Sequence, residues 1–365
     1  MQPKRNLLKF WKLIQRENAV RYMLLSLFSF VATVSVVRSF LELTGYPQIG
    51  SGTLHIAHVL WGGLILYIAA ILRLIYLNPR LNSLSAVLSG VGMGLFIDEV
   101  GKFITRQYDY FFPAAATIMY VFFLLLLILV IMIRRPKSVD GRAELAQALE
   151  IVREQLYRPL EPAERLHLER DMANVINTDP DTLHQDMAKH LLGLIRSDPR
   201  TAPETRPAWW MRFANRLEQR LSESRLSWLL VAGFLILGFV TLKNPLLIYL
   251  GRIYPTSVLI SFLHLHLGGQ ISVVGASLFF EIRLVLEVLV GLLLLVSAGL
   301  LAIGKKSLAV TLGYFSLLVS LAVLDLLLFY YEQFSTVLTV GFQLLVMAGL
   351  IYFRRKYSEK SNLPS

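Results

Sequence analysis

Long apolar stretches separated by short polar segments make up most of this chain. A helix needs roughly 20 predominantly apolar residues to cross a bilayer. Eight stretches reach about that length, although the third and sixth also carry charges: about 22–43, 54–77, 84–105, 112–133, 226–243, 278–303, 308–330 and 334–353. The pattern therefore predicts an all-α, polytopic membrane protein with about eight transmembrane helices.

The polar segments divide the chain into five parts. They are a cytoplasmic interfacial helix at 1–21, a first four-helix membrane half at 22–133, a helical cytoplasmic insert ending in an amphipathic helix at 134–225, a second membrane half at 226–353, and a cytoplasmic tail at 354–365. The insert's pattern predicts three helices, at about 140–157, 162–177 and 180–197.

The two membrane halves follow a similar plan. Each has an outer segment with two histidines (His55 and His58, then His264 and His266), and each closes on a double arginine. This plan suggests a parallel 4+4 repeat about an axis along the membrane normal. In the second half, segment 244–277 is apolar but broken by Pro and Gly, which predicts a re-entrant or capping segment on the outer side.

The distribution of charge predicts the orientation. The net charge is +11, and most of the Lys and Arg residues outside the insert, such as Arg21, Arg80, Lys305 and Arg354, flank one membrane face, which places both termini in the cytoplasm. The absence of transit or lipidation signals favours a bacterial plasma (inner) membrane. No nucleic-acid module is visible, and the lack of cysteine excludes disulfides, thiolate nucleophiles and Cys metal ligands.

One group of polar residues is predicted to lie at a common depth near the outer face. His55 and His58 stand three apart at the start of the second span, while Asp98 and Glu99 end a Gly-rich ridge in the third. Lys102 continues that ridge. Ionisable residues within a membrane are expensive, so they indicate a functional site by default.

This group allows three interpretations. Zinc or another divalent ion would take His55, His58 and Asp98 as ligands, with Glu99 or Asp98 as general base and Lys102 near the substrate. Alternatively, the group is a buried ion-pair network of Asp98 with Lys102 and Arg38 with Glu42, or part of a proton or ion path. The nearby Arg38 and Glu42, four residues apart, would support the site in any of them.

The second half carries a less concentrated set of the same residue types. Glu281, Arg283, Glu287 and Asp325 lie in its spans, and we interpret them as supporting residues. The favoured interpretation is that Arg283 and Glu287, four residues apart, form an ion pair that ties helices together.

The stretch His55-Ile-Ala-His-Val-Leu-Trp-Gly-Gly63, with Gly90-Val-Gly-Met-Gly-Leu-Phe-Ile-Asp-Glu99, resembles a pattern in uncharacterised bacterial multi-pass membrane proteins. In those proteins a His pair before Trp-Gly is followed, one helix later, by a Gly-rich Asp-Glu. The resemblance covers about residues 50–110 and implies no established activity.

Three functions follow as hypotheses. The leading one is a metal-dependent hydrolase or transferase, with zinc and no nucleotide cofactor, acting on a lipid-linked or small envelope substrate. The second is a proton- or cation-coupled transporter in which Asp98, Glu99 and Asp325 carry the coupling ion. The third is a membrane-anchored scaffold or sensor whose insert binds a cytoplasmic protein.

Overall fold

A computed structural model describes residues 14–45, 57–106, 112–134, 141–157, 159–197, 222–253 and 278–358. These residues are helical almost throughout, and no strand occurs among them. The predicted all-α, polytopic class is confirmed, because seven helices in the described part of the chain are long and apolar enough to cross a membrane.

The helices, in chain order, are α1 (Ala19–Thr44), α2 (His58–Ile75), α3 (Pro79–Asp98), α4 (Val100–Ile104), α5 (Pro113–Arg134), α6 (Gly141–Glu154), α7 (Pro162–Thr178), α8 (Thr182–Ser197), α9 (Glu223–Ile253) and α10 (Leu278–Ala302). The last helical run comprises α11 (Lys306–Val319), a π-helical turn (Ser320–Leu324), α12 (Asp325–Glu332), a 3-10 turn (Gln333–Thr336) and α13 (Val337–Phe353). Its final residues form a second π turn, Arg354–Ser358.

This last run folds back on itself at Gln333. Gln333 has a φ of 49°, a left-handed conformation that no other non-glycine residue of the described ranges adopts. Beyond this turn, Gln343 on α13 contacts Ser320 at the end of α11. The predicted spans 308–330 and 334–353 therefore correspond to the two arms of a helical hairpin. The count of eight crossings and the 4+4 repeat remain predictions.

The chain divides into two compact units. The first comprises residues 1–99 and 125–208, and the second comprises 100–124 and 209–365. The boundary passes through α5, whose first half belongs to the second unit. The division therefore differs from the predicted boundary between the membrane halves.

Glycines hold the first unit's membrane helices close together. A Cβ added to Gly90 of α3 would lie 2.2 Å from the Ser26 carbonyl oxygen of α1. On the other side of α3, a Cβ on Gly92 would lie 2.8 Å from the Gly62 carbonyl oxygen of α2, and one on Gly62 would be as close to the Gly92 oxygen. Small residues permit such close approach between membrane helices, and here they place α3 against both neighbours.

Helices α6, α7 and α8 pack around a small apolar core of their own: Leu145, Ala148, Leu160, Leu168, Met172, Val175, Ala188, Leu191 and Ile195. The insert also contacts the membrane part of the first unit. Arg16 pairs with Glu150, and the Gln147 side chain donates to the Gln15 carbonyl oxygen over 2.8 Å. Gln15 in turn donates to the Ile133 carbonyl oxygen at the end of α5.

In the second unit, α9 to α13 share an apolar core that includes Phe234, Leu294 and Leu317, all nearly inaccessible.

The exposed faces of the long helices are apolar in both units. Leu74 is 84% exposed and Leu338 is 86% exposed, which suits surfaces covered by lipid rather than water.

Two helices end at other residues than the predicted spans. α3 ends at Asp98, and a separate short helix begins at Val100, within the predicted span 84–105. α9 extends beyond the predicted span 226–243, because it continues past Pro245 to Ile253. Proline removes only one backbone donor, and the helical bonds resume beyond it. The rest of the predicted capping segment lies outside the described residues, as do most of the interfacial and amphipathic helices and of the tail.

Candidate functional site

Three helices of the first unit bring four charged side chains together. Arg38 comes from the last turns of α1, His58 opens α2, and Asp98 ends α3, with Glu99 directly after it. The glycine contacts along α3 permit this meeting, because they let α1 and α2 approach α3 closely on two sides.

Arg38 holds Asp98 by two contacts. Its Nε lies 2.5 Å from Asp98 Oδ1, and its Nη2 donates to the Asp98 backbone carbonyl over 2.9 Å. The carbonyl oxygens at a helix C-terminus lack intrahelical donors, so the guanidinium satisfies both the side chain and the helix end. Arg38 is only 9% exposed and Asp98 is fully buried.

His58 bridges the two acids. Its Nε2 lies 3.0 Å from Asp98 Oδ2, and its Nδ1 lies 3.0 Å from Glu99 Oε1. The other Glu99 oxygen, Oε2, lies 3.4 Å from the Val59 backbone nitrogen. Adjacent helical residues diverge by about 100°. The regular helix is broken at Glu99. There the carboxylates of two neighbouring residues reach the two different nitrogens of one imidazole.

The hydrogen-bond donors and acceptors of the trio formed by His58, Asp98 and Glu99 determine how many protons it holds. A neutral imidazole has one donor and one acceptor, whereas an ionised carboxylate only accepts. Both contacts of His58 can be hydrogen bonds only if the trio holds one more proton than a neutral imidazole and two carboxylates would. With that proton and the Arg38 guanidinium, the charges of these four side chains sum to zero, whether the proton lies on the imidazole or on an acid.

The cluster is buried on its acidic side and accessible at its imidazole. Asp98 and Glu99 are 0% and 1% exposed, whereas the His58 side chain is 24% exposed.

The structure places the other predicted site residues as follows. Glu42 is exposed. Arg38 pairs with Asp98 on another helix, and not with Glu42, its predicted i,i+4 partner. Lys102 lies half-buried in α4, which belongs to the second unit. His55, His264 and His266 lie outside the described residues.

The predicted zinc site has no complete ligand set in the part of the chain that the structure describes. No group of three or more His, Asp or Glu residues there is arranged to hold a metal ion. Both His58 nitrogens already face carboxylate oxygens, so a metal would have to displace one of these contacts. Because His55 is outside the described ranges, zinc binding remains a prediction.

The second unit contains a buried ion cluster around Arg283. The guanidinium is fully buried, and its Nε lies 2.9 Å from Glu287 Oε1, which is the predicted i,i+4 ion pair. Arg283 also pairs with Glu332, which accepts a hydrogen bond from Asn244 over 2.8 Å. The predicted supporting residue Glu281 is exposed.

Asp325 is the other buried acid of the second unit. Its Oδ1 accepts from the Gln343 side-chain amide over 3.3 Å, and the same amide nitrogen lies 3.1 Å from Ser320 Oγ. The sequence analysis did not identify Gln343 or Asn244. The signal that could have found them is a side-chain amide inside an apolar helix, since such groups need polar partners.

Comparisons with protein families, curated proteins and solved structures found no match to this chain. The resemblance noted in the sequence therefore stays a prediction.

Proposed function

We propose that this protein is a multi-pass membrane transporter coupled to protons, and that His58, Asp98 and Glu99 bind the coupling proton. The observation that carries the proposal is the position of the imidazole, with one carboxylate at 3.0 Å from each of its nitrogens. One extra proton shared by the trio completes both hydrogen bonds. When this proton is lost, an imidazole nitrogen and a carboxylate oxygen that are both acceptors face each other.

Proton loss in this arrangement changes the forces between helices. Asp98 and Glu99 lie on or next to α3, whereas His58 lies on α2. With the proton, attraction holds the start of α2 against the end of α3. Without the proton, one of the two contacts between His58 and the carboxylates becomes repulsive, and the negative charge of the deeply buried carboxylates is less compensated. Such a two-state contact can couple protonation to a conformational change.

The membrane and orientation belong to the same proposal. We place the chain in a bacterial plasma membrane with both termini in the cytoplasm, so that the cluster faces the outer compartment. The support is the concentration of Lys and Arg outside the insert at one end of the predicted spans.

Proton movement in proteoliposomes tests this function. Vesicles containing a pH-sensitive dye would be exposed in turn to gradients of Na⁺, K⁺, amino acids and sugars. We expect one of these gradients to drive proton movement in the wild type, and we expect Asp98→Asn to abolish it.

The matched control is Asp186→Asn, which alters an exposed aspartate of α8 that contacts only the surface Lys189 among the described residues. It should leave the proton movement unchanged. Coupled movement that persists at the wild-type rate in Asp98→Asn would rule out the cluster as the proton site.

A metal-dependent hydrolase or transferase is the second candidate. The observation in its favour is that an imidazole and two carboxylates, all metal-ligand types, meet at a partly accessible position three residues after His55. Metal content measured by mass spectrometry separates the two candidates. One equivalent of zinc in the wild type, lost in folded His58→Ala and Asp98→Ala proteins, would favour the metal enzyme.

A further inference from the structure

The helical hairpin of the second unit encloses a small set of oxygen atoms around Asp325 and Gln343. Asp325 begins α12 and Gln343 lies on α13, and they are 0% and 2% exposed. Ser320 and Tyr120, both also buried, lie beside them. All of these groups belong to the same compact unit.

Two of these oxygens are left without a hydrogen bond. Among the described residues, neither Asp325 Oδ2 nor Gln343 Oε1 has a hydrogen-bond partner. The nearby Tyr120 hydroxyl donates its proton to the Leu321 carbonyl oxygen over 2.7 Å. Buried polar atoms in proteins are nearly always satisfied, so two orphaned acceptors on side chains that contact each other call for a bound positive group.

No basic side chain of the described ranges compensates Asp325. Arg283 pairs with Glu287 and Glu332, and Lys306 pairs with Glu223. Among the described residues, Asp325 contacts only neutral groups. An uncompensated carboxylate in a membrane interior is costly, and it therefore indicates an ion site or a bound proton.

The backbone next to Asp325 is distorted. Ser320–Leu324 form a π-helical turn, and the Asp325 N–H bonds to the Ser320 carbonyl oxygen. Such turns interrupt the regular α-helical bonding and are frequent at functional sites. Here the turn sets the Leu321 carbonyl where the Tyr120 hydroxyl reaches it.

We propose that Asp325 and Gln343 bind one monovalent alkali cation, Na⁺, with Asp325 Oδ2 and Gln343 Oε1 as ligands. Carboxylate and carbonyl oxygens suit hard cations. A single carboxylate balances one positive charge, whereas a divalent ion would leave a net positive charge in an apolar interior. The role of this ion in coupling rests on the proposed transport function, but its binding does not.

Sodium binding can be measured on the full-length protein in detergent. Binding of radioactive ²²Na⁺ to wild type should reach one equivalent and should be displaced by unlabelled Na⁺ but not by K⁺. Replacing an organic cation by Na⁺ at constant ionic strength should raise the melting temperature by roughly 3–6 °C, because a ligand that binds only the native state stabilises it.

Two variants and one control locate the site. Asp325→Asn, which is nearly isosteric, should lose ²²Na⁺ binding and the thermal response. Gln343→Met, which removes the carbonyl oxygen, should weaken binding by about tenfold or more. Asp186→Asn, which alters an exposed aspartate of α8 in the other unit, should bind Na⁺ like the wild type.

Absence of sodium-specific binding in the folded wild type would overturn the proposal and would leave a protonated Asp325 as the explanation. Wild-type binding in Asp325→Asn would overturn it as well. The two proposals fail separately. Sodium binding without any coupled proton movement refutes the transport function alone, and proton coupling without sodium binding refutes the cation site alone.

Discussion

Asp98 and Asp325 are both fully buried aspartates within membrane helices, yet their surroundings differ. Asp98 in the first unit contacts the Arg38 guanidinium and the His58 imidazole. Asp325 in the second unit has the Gln343 amide and the Tyr120 hydroxyl beside it, both neutral groups. Burial alone therefore does not assign a role to a membrane carboxylate, since the compensation of its charge decides what else can bind there.

The difference separates two kinds of site. Around Asp98 the protein itself supplies the positive charge, and the only variable is the proton shared with Glu99 through His58. Around Asp325 the positive charge has to come from outside the described residues, as a cation or a proton. Neutralising each aspartate should therefore have opposite effects on stability.

The largest expected effect is that of Asp98→Asn. This variant removes the carboxylate that pairs with the buried Arg38 guanidinium, so we expect a loss of about 3–5 kcal/mol in the free energy of unfolding. Asp325→Asn in sodium-free buffer removes an uncompensated charge and should be neutral or stabilising. Unfolding in mixed detergent micelles measures both. Equal destabilisation by the two variants would contradict the comparison.

A double-mutant cycle sharpens the interpretation of Asp98. Arg38→Met in the wild type should cost nearly as much as Asp98→Asn, because it removes the guanidinium that pairs with the buried carboxylate. Combined with Asp98→Asn it should cost much less, so the coupling energy should approach about 3 kcal/mol. Additive effects would mean that Arg38 and Asp98 act independently despite their 2.5 Å contact.

Much of the fold could be predicted from the sequence because it depends on local patterns. The insert helices, predicted at 140–157, 162–177 and 180–197, are found at Gly141–Glu154, Pro162–Thr178 and Thr182–Ser197. Apolar periodicity and first-turn prolines define such elements without reference to the rest of the chain.

The partners within the site could not be predicted in the same way. Spacing alone suggested Arg38 with Glu42 and Asp98 with Lys102, because residues four apart share a helix face. The structure joins Arg38 to Asp98, sixty positions away, and ends α3 between Asp98 and Lys102. Contacts between helices depend on packing at glycines such as Gly90, and the spacing along one helix carries no information about them.

A pair of glycines tests whether close packing holds the first unit's cluster together. Gly90→Ala would place its Cβ 2.2 Å from the Ser26 oxygen and should cost about 1–3 kcal/mol through overpacking. Gly299→Ala in the second unit meets nothing within 4 Å and should be neutral or stabilising, as alanine favours helices. Thermal unfolding compares them. No difference between the two would show that α1 and α3 can separate without penalty.

The smallest effects are expected at the more exposed ion pairs of each unit. Glu150→Gln removes the partner of Arg16, and Glu223→Gln removes the partner of Lys306. Each substitution should lower the free energy of unfolding by less than about 1 kcal/mol. Added salt should make this effect smaller still, because water and salt screen such pairs. A loss at Glu150 as large as that of Asp98→Asn would instead make the docking of the insert a main source of stability.

The most direct test of the central claim is the protonation state of the His58 trio. Ring-nitrogen NMR on ¹⁵N-histidine protein would assign the His58 signal by its loss in His58→Gln, since the chain has seven histidines. Carboxyl infrared bands, compared with Asp98→Asn and Glu99→Gln, would report the acids. We predict that the trio holds one extra proton, either as an imidazolium between two ionised carboxylates or as a neutral imidazole with one protonated acid, which are tautomers of equal charge. A neutral imidazole between two ionised carboxylates at every pH would contradict proton sharing and the transport mechanism built on it.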